Sequence, residues 1–161
     1  MYTTLFHTAL TANDSTAKEQ LGAIRAEWDG TQWKWYKYVQ VAAGTTVANG
    51  TPLAYPTTNT ARTIVSGTVA DYLRNRPAGV GVGAITASYY GWIQIKGPHS
   101  AVITNGDDDI AAGDTIILAT TGGQVDSVAA GTPTTYRPLG IATAADVDAA
   151  NTVATDLCCD F

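Results

Sequence analysis

Turn-forming residues interrupt this chain so often that no long regular element fits between them. In the second half alone, Gly97-Pro98, Asn105-Gly106, Gly113-Asp114, Gly122-Gly123, Gly131 with Pro133, and the polar stretch from Asp146 to Asn151 break the sequence. Glycine supplies positive φ, and proline fixes φ while removing an N–H, so each of these markers punctuates local structure. The segments left between them are short and β-prone: AGVGVGAIT, Tyr90–Lys96, Ala101–Thr104, Thr115–Ala119, Gln124–Val128, Gly140–Thr143 and Thr152–Leu157. Short strands with Gly/Pro turns predict an all-β fold, a small barrel or sandwich of antiparallel strands. No exact repeat is visible, which argues against a solenoid.

The first half carries the same signature less regularly. LGAIRAEW and TQWKWYKYVQVA flank Asp29-Gly30, a dipeptide that tolerates positive φ and marks a hairpin. Beyond it, loops at Gly44 and Asn49-Gly50 surround small strands near Thr45–Val47 and Pro52–Tyr55, and a further strand is expected at Arg62–Val65. Val69–Arg74 fits a strand or a single helical turn equally well. Residues 1–20 are polar and Thr-rich, and their large apolar side chains, Tyr2, Leu5, Phe6 and Leu10, follow no sustained period. They read as an extended N-terminal arm. Thr16 and Glu19 match a capping box, which allows one helical turn before Gly22. The expected organisation is an arm over residues 1–20 and a β-rich domain over 21–161.

Composition narrows the function. Charged residues make up only 14% of the 161, against about 25% in an average soluble domain, so much of the surface is neutral and suited to flat protein contacts. The net charge of −5, with no run of Lys or Arg, argues against nucleic acid, which takes clustered cations. No apolar run approaches the roughly 20 residues of a membrane span. The N-terminus lacks the basic and apolar regions of a secretory signal, so the chain is expected to mature where it is made, and the sequons at Asn13 and Asn49 then carry no meaning. Cys158 and Cys159 are neighbours, a poor geometry for a disulfide and too few ligands for zinc; they read as small apolar residues closing the last strand.

Motifs with chemical potential have weak contexts. Gly79-Val80-Gly81-Val82-Gly83-Ala84 satisfies a dinucleotide-binding spacing, but strand-like ITASYYGWIQI follows where a helix is required, so close backbone packing is the expected reason for the glycines. Asp107-Asp108-Asp109 lacks the spacing of a calcium loop and reads as a solvated turn, with no metal expected. The candidate bases are His7, in the arm, and His99, expected on the surface after the Gly97-Pro98 turn. No nucleophile-elbow, zinc-protease or phosphate-loop pattern is present, so neither an enzyme nor a cofactor is expected. Trp28, Trp33, Trp35, Tyr36 and Tyr38 crowd one hairpin; core packing, a protein contact and sugar stacking all fit such a cluster.

The block GVGVGAITASYYGWIQIKGPHSAVI, then IAAGDTIILATTGGQV, then RPLGIATAADVDAANTVATDL, resembles the decoration (cement, head-stabilising) proteins of tailed-phage capsids. LGAIRAEWDGTQWKWYKYVQVAAG is similar to the hairpin near the start of some of them, so the similar stretches cover well over half the chain. The resemblance implies a β-barrel or β-tulip-like body, homotrimers near capsid symmetry axes, an arm lying on the major capsid protein, and a place on the capsid surface of the virion for a chain made in the host cytoplasm. Here that arm would present Tyr2, Leu5, Phe6 and Leu10, with Trp28, Trp33 and Trp35 as possible contact aromatics. It transfers no catalytic residue. The competing readings are another virion subunit (head-fibre base or tail component), a carbohydrate-binding module, and an enzyme of unrecognised type around His99 or Asp107–Asp109.

Overall fold

The computed structural model describes residues 6–56, 63–66, 76–106, 110–134, 136–146 and 151–159, with 63–66 described by their backbone pairing alone. It is all-β, with no helix among the described residues. The strands are β1 (Ile24–Trp28), β2 (Trp33–Val41), β3 (Pro52–Tyr55), β4 (Thr63–Ser66), β5 (Arg76–Gly81), β6 (Tyr90–Ile103), β7 (Thr115–Leu118), β8 (Val125–Val128), β9 (Gly140–Ala142) and β10 (Thr152–Cys158). They form one sheet in the order β1-β2-β4-β3-β5-β6-β10-β9-β7-β8, with a further β2–β6 pairing. All pairings are antiparallel except β2–β4.

β6 is the spine. Its first half pairs with β2, from Gln40↔Tyr90 to Trp35↔Lys96, and with β5 at Val80↔Gln94 and Gly81↔Ile93. Its second half pairs with β10, from Lys96↔Cys158 to Ile103↔Thr152. Pairings β2–β4–β3–β5–β6 curl the first half, while β10, β9, β7 and β8 continue the sheet beyond it. The pairings β2–β4–β3–β5–β6 return to β2 through β2–β6, a five-strand circuit, but the sheet as a whole does not close into the expected barrel: β10 takes over from β5 along the second half of β6, and the strand order runs on to β8. The main core is one cluster that draws on both parts of the sheet, with Val39, Leu53, Val80, Ile93 and Ile95 from the first and Ile116, Leu139 and Leu157 from the second.

Several local expectations are corrected. Gly97-Pro98 is not a turn: β6 runs through it, with a bulge opposite Trp35 and Tyr36. The buried Gln94 makes this possible, since its Nε2 donates to the carbonyls of Gly97 and Pro98, both at 3.0 Å, replacing ladder bonds that the irregular backbone loses. His99 consequently sits within the strand and is buried, not on the surface. The strand expected at Thr45–Val47 reduces to a single bridge between Val47 and Ile85. Thr16–Gln20 is not helical. Val69–Arg74 and Asp107–Asp109 lie outside the described residues. The glycines of β5 are explained by close approach: a Cβ at Gly79 would stand 2.4 Å from the Gln94 carbonyl oxygen, and one at Gly81 2.3 Å from that of Ala48. They are strand residues followed by bends, without the helix N-terminus a pyrophosphate needs.

A candidate interaction surface on the first hairpin

β1 and β2 form the hairpin that Asp29-Gly30 announces, with register Trp28↔Trp33, Ala26↔Trp35 and Ile24↔Lys37. The connection is a loop of Asp29 to Gln32, wider than a two-residue turn. The Asp29 carboxylate organises it, accepting from the N–H groups of Thr31 and Gln32, both at 2.9 Å, and pairing with Lys34 at 3.0 Å. These hydrogen bonds, first that from Gln32, hold its pKa down to about 2.

Side chains alternate across the hairpin, giving it two different faces. On one, Tyr36 and Tyr38 are buried with Trp92, and Phe6, Leu10, Leu21, Ala23, Val82 and Tyr90 pack around them. Residues 6–20 lie on this face as an irregular strap. Phe6 stands edge-on to Trp92 with ring centroids 5.2 Å apart, and the Arg25 guanidinium lies over both rings. The Trp92 indole N–H donates to Thr8 Oγ1 at 2.9 Å. Arg25 Nη1 donates to the Thr8 carbonyl at 2.9 Å, the Lys18 N–H donates to Tyr38 Oη at 3.2 Å, and Asp14 and Tyr90 exchange backbone hydrogen bonds. Glu19, read from sequence as half of a capping box, instead accepts from the N–H groups of His7 and Thr8 and from the Thr8 hydroxyl. Phe6 and Leu10, expected on another protein's surface, are half-buried against the chain's own sheet. Tyr2 and Leu5 lie outside the described residues.

The other face of β2 enters the main core at Val39 and Val41 and leaves it toward the loop. Trp35 packs at the core margin. Trp33 lies beyond it, 56% exposed, against Trp28, 54% exposed, with ring centroids 5.7 Å apart at 60°. Ile24 is 40% exposed on the same face. Among the described residues the exposed large hydrophobics are Ile24, Trp28, Trp33, Tyr136 and Ile141, so the hairpin holds three of the five. The aromatic cluster thus divides. Tyr36 and Tyr38 are core, Trp35 is marginal, and Trp28 and Trp33 face outward where the overhanging hairpin carries them past the core.

Among the described residues, the remaining sequence candidates lie apart from one another. His7 is exposed in the strap. His99 Nδ1 accepts from the Ala101 N–H at 3.3 Å, and burial pushes its imidazole below the ordinary range, favouring the neutral form. Among the described residues no three His, Cys, Asp or Glu side chains come together. Cys158 is exposed and Cys159 buried, with its Sγ 3.6 Å from the Leu139 carbonyl. Asp114, from the A-G-D turn, is buried and accepts from Ala111 N–H and Ala130 N–H at 2.9 Å each, tying two turns together. Sequence reading missed the structural use of Gln94, Glu19 and Asp114; the local signals were a polar side chain within an apolar run for Gln94, one beside a glycine for Asp114, and for Glu19 a capping-box match that pointed to a different role.

No protein-family model, curated protein or solved structure matches the chain.

Proposed function

We propose that this chain is a non-enzymatic structural protein of a tailed-phage virion, binding the outer surface of the capsid and stabilising it as a decoration protein does. The observation that carries the reading is the exposed Trp28–Trp33 pair on an overhanging hairpin, joined to the sequence resemblance. A buried tryptophan removes about 150–250 Å² from water. With about half of each ring still open, docking would gain about 2–3 kcal/mol per ring at about 25 cal/mol per Å². Tryptophans placed in this way serve as anchors of protein interfaces. The charges beside them are paired, Asp29 with Lys34 and Arg25 with Glu27, which suits a neutral protein partner such as the major capsid protein, and repetition of a modest contact over a shell multiplies its effect. The 60° between the two rings makes a ridge, which fits a groove between protein subunits better than it fits the flat run of a sugar chain. In this reading the described part of the N-terminal segment braces the hairpin from behind, and the docking side is the tryptophan face.

The test is physical association. Mass spectrometry of purified virions should find the chain in many copies, and added protein should co-sediment with undecorated shells and raise their rupture temperature. Absence from virions, or indifference to the shells, would reject the reading; binding to a glycan array instead would replace it with the carbohydrate-binding alternative.

A further inference from the structure

β1 ends the sheet, and among the described residues nothing pairs with its outer edge. In an antiparallel pair, alternate residues direct both N–H and C=O toward the partner strand. The Tyr38 N–H donates to the Ala23 carbonyl and the Asp29 N–H to the Gln32 carbonyl, so residues 23, 25, 27 and 29 face inward. Ile24, Ala26 and Trp28 therefore turn their backbone donors and acceptors outward. Folded chains usually blunt such an edge with lysine, proline or a bulge. β1 reads IRAEW, with no lysine, proline or bulge; its two charges, Arg25 and Glu27, pair with each other on the strap face, and its register with β2 is uninterrupted.

This edge is complementary to itself. If two copies align antiparallel about Ala26, Ala26 meets Ala26, Ile24 meets Trp28 and Arg25 meets Glu27. Every outward-facing residue then opposes another outward-facing residue, so each such pair exchanges both backbone hydrogen bonds. A β-branched side chain faces an aromatic and a cation faces an anion, both favourable cross-strand pairs. A slip by one residue loses the backbone match, and a slip by two sets Arg25 opposite Arg25 or Glu27 opposite Glu27. The same patch is used by both partners, the isologous arrangement of a two-fold dimer.

We propose that a second copy of this chain pairs with β1 about this two-fold axis, joining two sheets edge to edge. The contact uses the edge and leaves the faces open, so it stands whether or not the tryptophan face binds a shell. In the pair, Trp28 and Trp33 of both copies lie on one side of the joined sheet. This is a two-fold contact, distinct from the trimer that the sequence resemblance implies.

Sedimentation equilibrium of the full chain tests it, with the expected result a mass twice that of the chain, falling to the single mass on dilution. Ala26→Pro removes an N–H that bonds to nothing in its own sheet, and Glu27→Lys sets a cation opposite Arg25. Each should run at the single-chain mass, Ala26→Pro melting with the dilute, single-mass parent and Glu27→Lys slightly below it, because it also loses the ion pair with Arg25 of its own chain. In a Cys158→Ser background, Ala26→Cys should cross-link to itself under mild oxidation, because directly opposed Cα atoms about 5.5 Å apart suit a disulfide. Glu27→Cys, which faces residue 25, should not. A monomer or trimer at every concentration, a dimer that survives both the Ala26→Pro and Glu27→Lys changes, or failure of Ala26→Cys to cross-link would overturn the proposal.

Discussion

Replacing Thr8 by valine tests whether the N-terminal segment belongs to the folded body. The two side chains are nearly isosteric, so the change removes the hydroxyl and little else. Trp92 is fully buried, and its indole N–H donates to that hydroxyl at 2.9 Å. Valine leaves the N–H without an acceptor, a loss of about 1–3 kcal/mol for a buried donor. Glu19 loses the hydroxyl donor but keeps the N–H groups of His7 and Thr8. A net change of about 2 kcal/mol corresponds to a melting temperature lower by about 4–8 °C for a chain of this size. Differential scanning calorimetry reads this change, and the exchange rate of the Trp92 indole proton, followed by NMR, should rise with it. A variant that melts within about 1 °C of the parent, with the indole proton equally protected, would refute the docked strap and return residues 6–20 to the free arm that their aperiodic sequence suggests.

Asp114→Ala strips the acceptor from the N–H groups of Ala111 and Ala130 and should destabilise the protein by about 2–3 kcal/mol in urea unfolding, from two partly buried donors left unmatched. Gly30→Val meets no steric obstacle, since nothing stands within 4 Å of the added Cβ, but Gly30 has φ of +100°, so thermal melts should show a loss of about 1–2 kcal/mol from backbone strain alone. His99 gives a pH dependence: burial lowers its folded pKa, so the unfolded chain takes the proton first and stability rises with pH through that interval. Its contribution should be fully present above about pH 6.5 and decline as pH falls below that value. His99→Gln should flatten that part of the stability curve.

The turn markers placed most of the strands because glycine and proline act locally. The hairpin at Asp29-Gly30 and the strands around Gly113-Asp114 and Gly122-Gly123 fall where the sequence sets them. Gly97-Pro98 misled for a physical reason: the side-chain amide of Gln94 satisfies the carbonyls that a turn would otherwise have paired, so strand continuity depends on a side chain three and four residues away. The docking of Phe6 and Leu10 was illegible because an irregular strap has no period, and its bonds to Trp92 and Tyr90 join residues more than seventy positions apart. Alternation put Trp33 and Trp35 on one face but says nothing of where the core beneath that face ends, and this alone decides which ring is exposed. The sheet's extent was equally hidden, since the β2–β6 pairing that completes the first-half circuit and the β10 pairing that carries the sheet onward both join strands far apart in sequence.

The most direct test of shell binding through the hairpin is an isotherm on undecorated capsids, comparing the parent chain with a Trp28→Ala/Trp33→Ala variant. Both rings are more than half exposed, so the variant should fold with an unchanged melt. Loss of even one interface anchor, at about 2 kcal/mol or more, predicts binding weaker by about 30-fold or more. Equal affinity of the two proteins for the shell would contradict the account.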